Sequence, residues 1–324
     1  MTADHFALSD TDFSFIGSGL KRPECVLAGA SGALYASHAD GGVVRIAPDG
    51  SQTLIGEVDG EPGRFKTNGF ALRRDGSIVF ANLGSEGGLW RIAPDGEMRP
   101  FLTEVDGVQL NAVNFVWQDH LDRLWFCVST FRERNLPYDP LARDGIVGLV
   151  EGAEARILAD GVAFTNECRL NAAGDALYVN QTFSRNTLRF EVFADGKLGN
   201  RSVFAEYAPG TYPDGMALDA EGGVWVISVV SNRIYRVTPD GRPTLLFEDC
   251  DPDHLAHVGR QYEQGVLKAD LIYQPRSRKL ANTSSLAFGG PDLRTAYLGC
   301  IAGDRIATFR SPVAGSVPSH WSWS

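Results

Sequence analysis

Six polar residues stand at a recurring position in strands that are otherwise apolar: Glu24, Asn68, Asn114, Asn166, Asp214 and Ser285. Each lies 11 or 12 residues before an aromatic residue, namely Tyr35, Phe80, Trp125, Tyr178, Trp225 and Tyr297. The stretches around them read RPECVLA, TNGFAL, VNFVWQ, TNECRL, PDGMAL and TSSLAF. Two carboxylates and several amide oxygens brought to one place form a hard, all-oxygen site, which suits Ca²⁺, Mg²⁺ or Mn²⁺. No His/Cys cluster of the kind zinc prefers accompanies them. Burying Glu24 beside Asp214 without a cation is costly, because like charges at close range oppose each other's ionisation. Turn chemistry is the competing account at two positions, since Asn68-Gly69 and Asp214-Gly215 are turn-forming pairs. Glu24, between Pro23 and CVLA, has no such use, nor do Asn114 and Asn166 ahead of Phe115 and Glu167.

The elements that position these residues are repeats. VVRIAPDG (43–50), LWRIAPDG (89–96), IYRVTPDG (234–241) and LRFEVFADG (188–196) are each an apolar strand ending in a turn. A second phrase occurs six times, as GALYAS, GSIVFAN, DRLWFCV, DALYVNQ, GGVWVIS and RTAYLGC. Its aromatic residues are spaced by 45, 45, 53, 47 and 72 residues. Strand-rich units at such a period, with almost no helical periodicity between them, predict an all-β fold: a six-bladed β-propeller with four-stranded blades, a single domain over 1–324. The polar residue then begins the innermost strand of each blade, and all six point into one end of the central channel.

Strand parity places the loops. With the ring end as the top, the PDG turns fall at the bottom. Two segments stretch the period, FRERNLPYDPLARD (131–144) and 250–282, and both are predicted at the top, over the axial site. Long irregular loops in a compact domain are often lids or binding loops. Within the second, residues 251–264 read as a short helix capped by Asp251 or Asp253, carrying His254 and His257. His38, ending the second strand of blade one, falls on the same face and is a candidate second acid or base.

Bulk composition narrows the partners. The chain carries a net charge of −10, which argues against nucleic acid and anionic membranes, since both favour basic surfaces. The N-terminal stretch lacks the basic and apolar regions of a signal peptide. The five cysteines are odd in number and scattered, which fits reduced thiols and a cytoplasmic location.

PECVLA, NAVNFVWQDHLDRLWFCVST, TNECRLNAAGDALYVNQT, YPDGMALDAEGGVWV and TSSLAFGGPDLRTAYLG together resemble the SMP-30/gluconolactonase/LRE-like family, also called the regucalcin family, over nearly the whole chain. The resemblance implies a six-bladed propeller with one divalent cation on its axis. Calcium is the expected ion, and magnesium, manganese and zinc are the alternatives. It further implies Glu24, Asn166 and Asp214 as metal ligands, Asn114 as a fourth ligand or substrate contact, and Asp214 as general base. Many members of the family hydrolyse lactones, and a related group with the same propeller hydrolyses organophosphates.

The chain departs from the family pattern at three places. Ala112-Val113-Asn114-Phe115 replaces Arg-x-Asn-Asp, Glu167 replaces a glycine, and Asn180-Gln181 replaces the aspartate expected before Thr182. Phe115, Trp117, Phe131 and Phe183 make the expected pocket less polar than a sugar site. The substrate contacts expected are therefore Asn114, Phe115, Phe131, Asn180 and His38. The activity expected is metal-dependent opening of a lactone less polar than a sugar aldonolactone. A phosphotriesterase or fluorophosphatase on the same metal, and a non-catalytic calcium-binding propeller, are the alternatives.

Overall fold

Short β-branched and aromatic segments alternate with tight turns along the chain, and the computed structural model folds them into six four-stranded antiparallel sheets. It describes residues 6–56, 62–133, 135–274 and 276–323. The sheets form the six-bladed β-propeller read from the repeats. The first strand of each blade is its innermost: Val26–Ala28, Thr67–Leu72, Phe115–Gln118, Thr165–Leu170, Tyr212–Leu218 and Thr283–Gly289. The recurrent PDG turns each place a glycine at positive φ, from 78° at Gly196 to 90° at Gly96, where a side chain would be strained. Blades three and five share a further device. Asp119 and Asp219 each accept, at 2.9 Å, the indole N–H of the tryptophan six residues on, Trp125 and Trp225.

The sixth blade takes its outermost strand from the other end of the chain. Ser14–Ile16 pairs antiparallel with Ile306–Arg310, Phe15 opposite Ala307. Phe13 follows it inward and packs on Phe247 and Phe309.

Four inner strands carry a bulge where the polar ring lies. Thr67 pairs with Asn82 and Phe70 with Phe80, so the inner strand holds one extra residue. The same happens between Thr165 and Cys168, between Pro213 and Met216, and between Thr283 and Ser285. A bulge re-aims a side chain that regular pleating would turn away. Asn68-Gly69 and Asp214-Gly215 are therefore parts of strands, not turns. Their glycines serve close approach instead. A Cβ on Gly215 would lie 2.4 Å from the Ser284 carbonyl oxygen, and one on Gly69 2.4 Å from the Phe115 ring. The register also corrects one ring position. Trp125 pairs with Trp117 and Trp225 with Ala217, three residues after Asn114 and Asp214. Tyr297 pairs with Ala287, three residues after Ser284, so Ser284 rather than Ser285 is the equivalent residue.

The two long segments meet each other. The second contains a helix, Pro252–Glu263, capped by Asp251, whose carboxylate accepts the amides of Asp253 and His254. Tyr138 of the first donates its amide to the Leu267 carbonyl at 2.7 Å. Tyr138, Phe164 and Phe183 pack together, and Tyr262 of the helix stacks on Phe183 at 4.6 Å. No helix among the described residues is long and apolar enough to cross a membrane. All five cysteines are free.

The C-terminal segment crosses the other end of the channel. The Ser316 amide donates to Leu218, Ser319 Oγ to the Gln118 carbonyl, and His320 Nε2 meets the Ala28 carbonyl at 3.2 Å. Burial pushes the His320 imidazole down to about 4, the Ala28 carbonyl opposes this, and the charges of Arg169 and His120 add to it. Between pH 6.5 and 4 the unfolded chain thus takes up a proton that the folded chain refuses. The contribution is fully present above pH 6.5 and is lost on acidification, by up to about 3 kcal/mol. Urea unfolding at pH 7 and pH 4.5 should show His320→Gln losing less stability on acidification than the native chain. An equal loss in both would exclude His320 as its source.

Candidate active site

Glu24 enters the ring from the loop ahead of blade one. Its amide donates to the Arg22 carbonyl at 2.7 Å, and Arg22 has a left-handed backbone, φ 55°. From there the Arg22 guanidinium crosses to blade two, donating to Asn68 Oδ1 at 2.8 Å and to the Thr67 carbonyl at 3.3 Å. Asn68 Nδ2 in turn donates to the Asn114 carbonyl at 2.7 Å and to Asn114 Oδ1 at 3.2 Å. On the far side, Asn166 Nδ2 donates to Thr182 Oγ1, and Thr182 Oγ1 to the Pro213 carbonyl. Ser284 Oγ closes the circuit by donating to the Glu24 carbonyl at 2.8 Å. Glu24, Asn68, Asn114, Asn166 and Asp214 are all buried.

The charge in this layer is unbalanced. Burial raises Asp214 well above the usual carboxylate range, and the charges of Glu24 and Glu167 raise it further. Arg22 and the Asn166 amide oppose the shift without cancelling it. Glu167 lies just beyond Asn166 on the same bulge. Burial pushes it up to about 7, Arg169 opposes and Glu24 adds to the shift. Its Oε2 accepts the Met216 amide at 3.2 Å and lies 3.2 Å from Arg169 Nη2, so it braces the strand that carries Asp214.

These residues fit a hard cation. Asn166 Oδ1 is buried without a hydrogen-bond partner, an acceptor that a metal ion would satisfy. Two adjacent buried carboxylates are a donor set that a positive charge relieves. Among the described residues no three His, Cys, Asp or Glu side chains form a metal cluster. The candidate donor set is instead two carboxylates, Glu24 and Asp214, with the amide oxygens of Asn114 and Asn166.

The remaining sequence-derived candidates have other surroundings. Asn180 is fully buried, its Nδ2 donating to the Asp214 carbonyl at 3.0 Å and its Oδ1 accepting from Thr187. It therefore positions Asp214 and has no surface for a substrate. Phe115 is likewise buried in the main apolar core, beneath the Arg169 guanidinium, 4.5 Å from its ring centroid. It is a packing residue, because Gly69 closes against it. Phe131 is half-buried against the apolar cluster that includes Val113, and its amide donates to Asp144. His38 is buried, with Nδ1 accepting from the Asp40 amide and its carbonyl from the Thr67 amide, next to Asn68. Sequence reasoning passed over Arg22 and Thr182. Arg22 stands two residues before Glu24, and Thr182 ends the strand opposite Asn166, but only the positive φ and the bulge aim them inward.

The fold has known counterparts. The 6-deoxy-6-sulfogluconolactonase of Pseudomonas putida is 26% identical over 234 residues, 71% of this chain and 67% of that protein. A gluconolactonase structure from Xanthomonas campestris superposes with a TM-score of 0.71 at 19% identity, covering 96% of this chain and 93% of its own. The calcium-binding protein regucalcin from Agrobacterium tumefaciens does so with a TM-score of 0.65 at 17% identity, covering 96% and 98%. At these identities the two structures speak for the fold. The pattern of the SMP-30/Gluconolactonase/LRE-like region matches residues 23–246, from the residue before Glu24 into the last strand of blade five, and the chain belongs to that family.

Proposed function

We propose that this protein is a divalent-metal-dependent hydrolase that opens a lactone less polar than a sugar aldonolactone. The observation that carries the reading is the pairing of Glu24 with Asp214 in a buried layer beside the orphaned Asn166 Oδ1. The names of its lactonase relatives support the reaction class. Glu24, Asn114, Asn166 and Asp214 are the residues that would hold the cation, with calcium the expected ion. When bound, such an ion supplies Lewis-acid stabilisation of negative charge developing on the ester oxygen.

The chain's own residues account for the rest. Asp214 is the general base: a bound cation would offset the burial and the neighbouring carboxylates that oppose its ionisation, and the carboxylate accepts the proton of the attacking water. Asn180 and Thr182 hold its backbone from blade four, and Glu167 holds the Met216 amide two residues on. Arg22 lowers the charge of the layer and fixes Asn68. The segments 131–144 and 250–282 cover the ring in this reading. Their aromatic contacts run through Phe164 and Phe183, the neighbours in sequence of Thr165 and Thr182. That apolar wall, with Ala112 in place of a cation, favours a lactone with a hydrocarbon substituent.

Metal removal tests the site before any substrate is known. Calcium at about 100 times its Kd should stabilise the chelator-treated protein by about 2.7 kcal/mol in a melt. Asp214→Asn should abolish that gain, and its chelated form should melt above the chelated native protein, because one buried like charge is gone. A native protein whose melt ignores both chelator and calcium would refute the cation site.

Activity is tested on a panel of aliphatic lactones, sugar lactones and a fluorophosphate. Alkyl-substituted lactones should give the largest kcat/KM, chelator should abolish turnover, and Asp214→Asn should lower kcat by about 100- to 10,000-fold. Turnover that survives chelation or Asp214→Asn would sink the mechanism. A faster fluorophosphate would reassign the substrate, and no turnover with intact calcium binding would leave a non-catalytic binding propeller.

A further inference from the structure

Beyond the polar ring, the far ends of the inner strands enclose a cavity of about 870 Å³. That lies within the range of about 300–1,000 Å³ usual for small-molecule sites. None of the ring residues lines it. Its wall comes from the positions three residues further along each inner strand, among them Leu27, Trp117, Arg169 and Ala217. The segment 315–320 spans its open end, tied to blades five, three and one by the bonds of Ser316, Ser319 and His320.

The lining is basic although the chain is acidic. Its charged groups are Arg123 and Arg169 against a single carboxylate, Asp119, while the imidazoles of His120 and of His320, held neutral by burial, also line it. Asp119 is buried and already accepts from Arg123 Nε and Trp125 Nε1. Arg169 is the cation presented to the space, its side chain 16% exposed. The rings of Phe115 and Trp117 hold its guanidinium at 4.5 and 5.4 Å. It bonds the Cys168 carbonyl and Glu167, which keeps N–H donors over. Glu167 does not line the cavity, so the pair is a dipole with its positive end toward the space. The mouth is apolar: Leu121, Val317 and Phe193 line it while 70%, 53% and 49% exposed.

We propose that this lower channel is a second binding site, for an apolar small molecule carrying one anionic group such as a carboxylate or sulfonate. The anion meets Arg169, the body lies against Trp117 and the small residues of the wall, and the apolar end leaves past Leu121, Phe193 and Val317. Charge complementarity selects the head group and the alanine-rich wall admits the body. The proposal does not rest on the lactonase reading, because the two sites share no lining residue.

Two related probes test it, the anion 1-anilinonaphthalene-8-sulfonate and its uncharged relative N-phenyl-1-naphthylamine, titrated by fluorescence into the full chain. One saturable site per chain is expected for the sulfonate. Arg169→Met should weaken the sulfonate by about tenfold or more and the neutral probe by less than about threefold, since it removes a charge-assisted contact. Val317→Asp, at an exposed position that does not threaten folding, should also weaken the sulfonate selectively. Ala217→Trp should block both probes by filling the cavity. Absence of a saturable site, equal loss of both probes in Arg169→Met, or binding indifferent to both Val317→Asp and Ala217→Trp would overturn the proposal.

Discussion

Two like charges held in one buried layer are the constraint around which this propeller is organised. Glu24 and Asp214 each oppose the other's ionisation, and Glu167 adds a third acid nearby. A structure that keeps such groups together must fix them from outside, because left alone they separate or protonate. The fixing here is done by neighbouring blades. Blade four holds the backbone of blade five through Asn180 and Thr182, and blade six holds Glu24 through Ser284. Blade one reaches blade two through Arg22. The ring is thus both the proposed functional centre and a belt of contacts between sheets that otherwise meet through apolar packing.

Much of this was legible in the sequence, because propeller blades repeat their chemistry. The six aromatic strands, the PDG turns and the polar residue ahead of each inner strand all carry a local signal. What failed did so for local reasons too. Counting a fixed distance back from Tyr297 selected Ser285, because two residue pairs separate Tyr297 from the turn in blade six where one separates Trp225 from it in blade five, and only strand register identifies Ser284. The Asn-Gly and Asp-Gly pairs looked like turns because the same residue pair serves close strand contact at a bulge. Asn180 and Phe115 were read as pocket residues because they stand where the family pattern has aspartates, whereas both side chains point into packed or hydrogen-bonded interior. The fourth strand of blade six was invisible, since nothing in Ser14–Ile16 announces a partner at the far end of the chain.

The departures from the family pattern take on physical meaning in this setting. A glycine following the fourth-blade asparagine would leave the Met216 amide and the Arg169 guanidinium without Glu167 as partner. With Glu167 present, the layer beneath the ring becomes polar on one side and anchors an arginine over aromatic rings. One substitution therefore links the polar ring to the lower channel, and it does so through a side chain that touches neither solvent nor the opening of the cavity.

The pairing of Phe15 with Ala307 sets the order in which the molecule is made. The closing strand leaves the ribosome long before its partner, because nearly all the propeller lies between them in sequence. Blades one to five can form from local hairpins as they emerge, since each contains its own four strands. The sixth must wait, with Ser14–Ile16 unpaired until Ile306–Arg310 has been made. An unpaired edge strand is a template for other chains. The apolar anchor Phe13, next to the closing strand, docks on Phe247 and Phe309 at the joint between blades five and six. Two strands far apart in sequence thus act as a latch, and the ring of blades closes only once Ile306–Arg310 has been made.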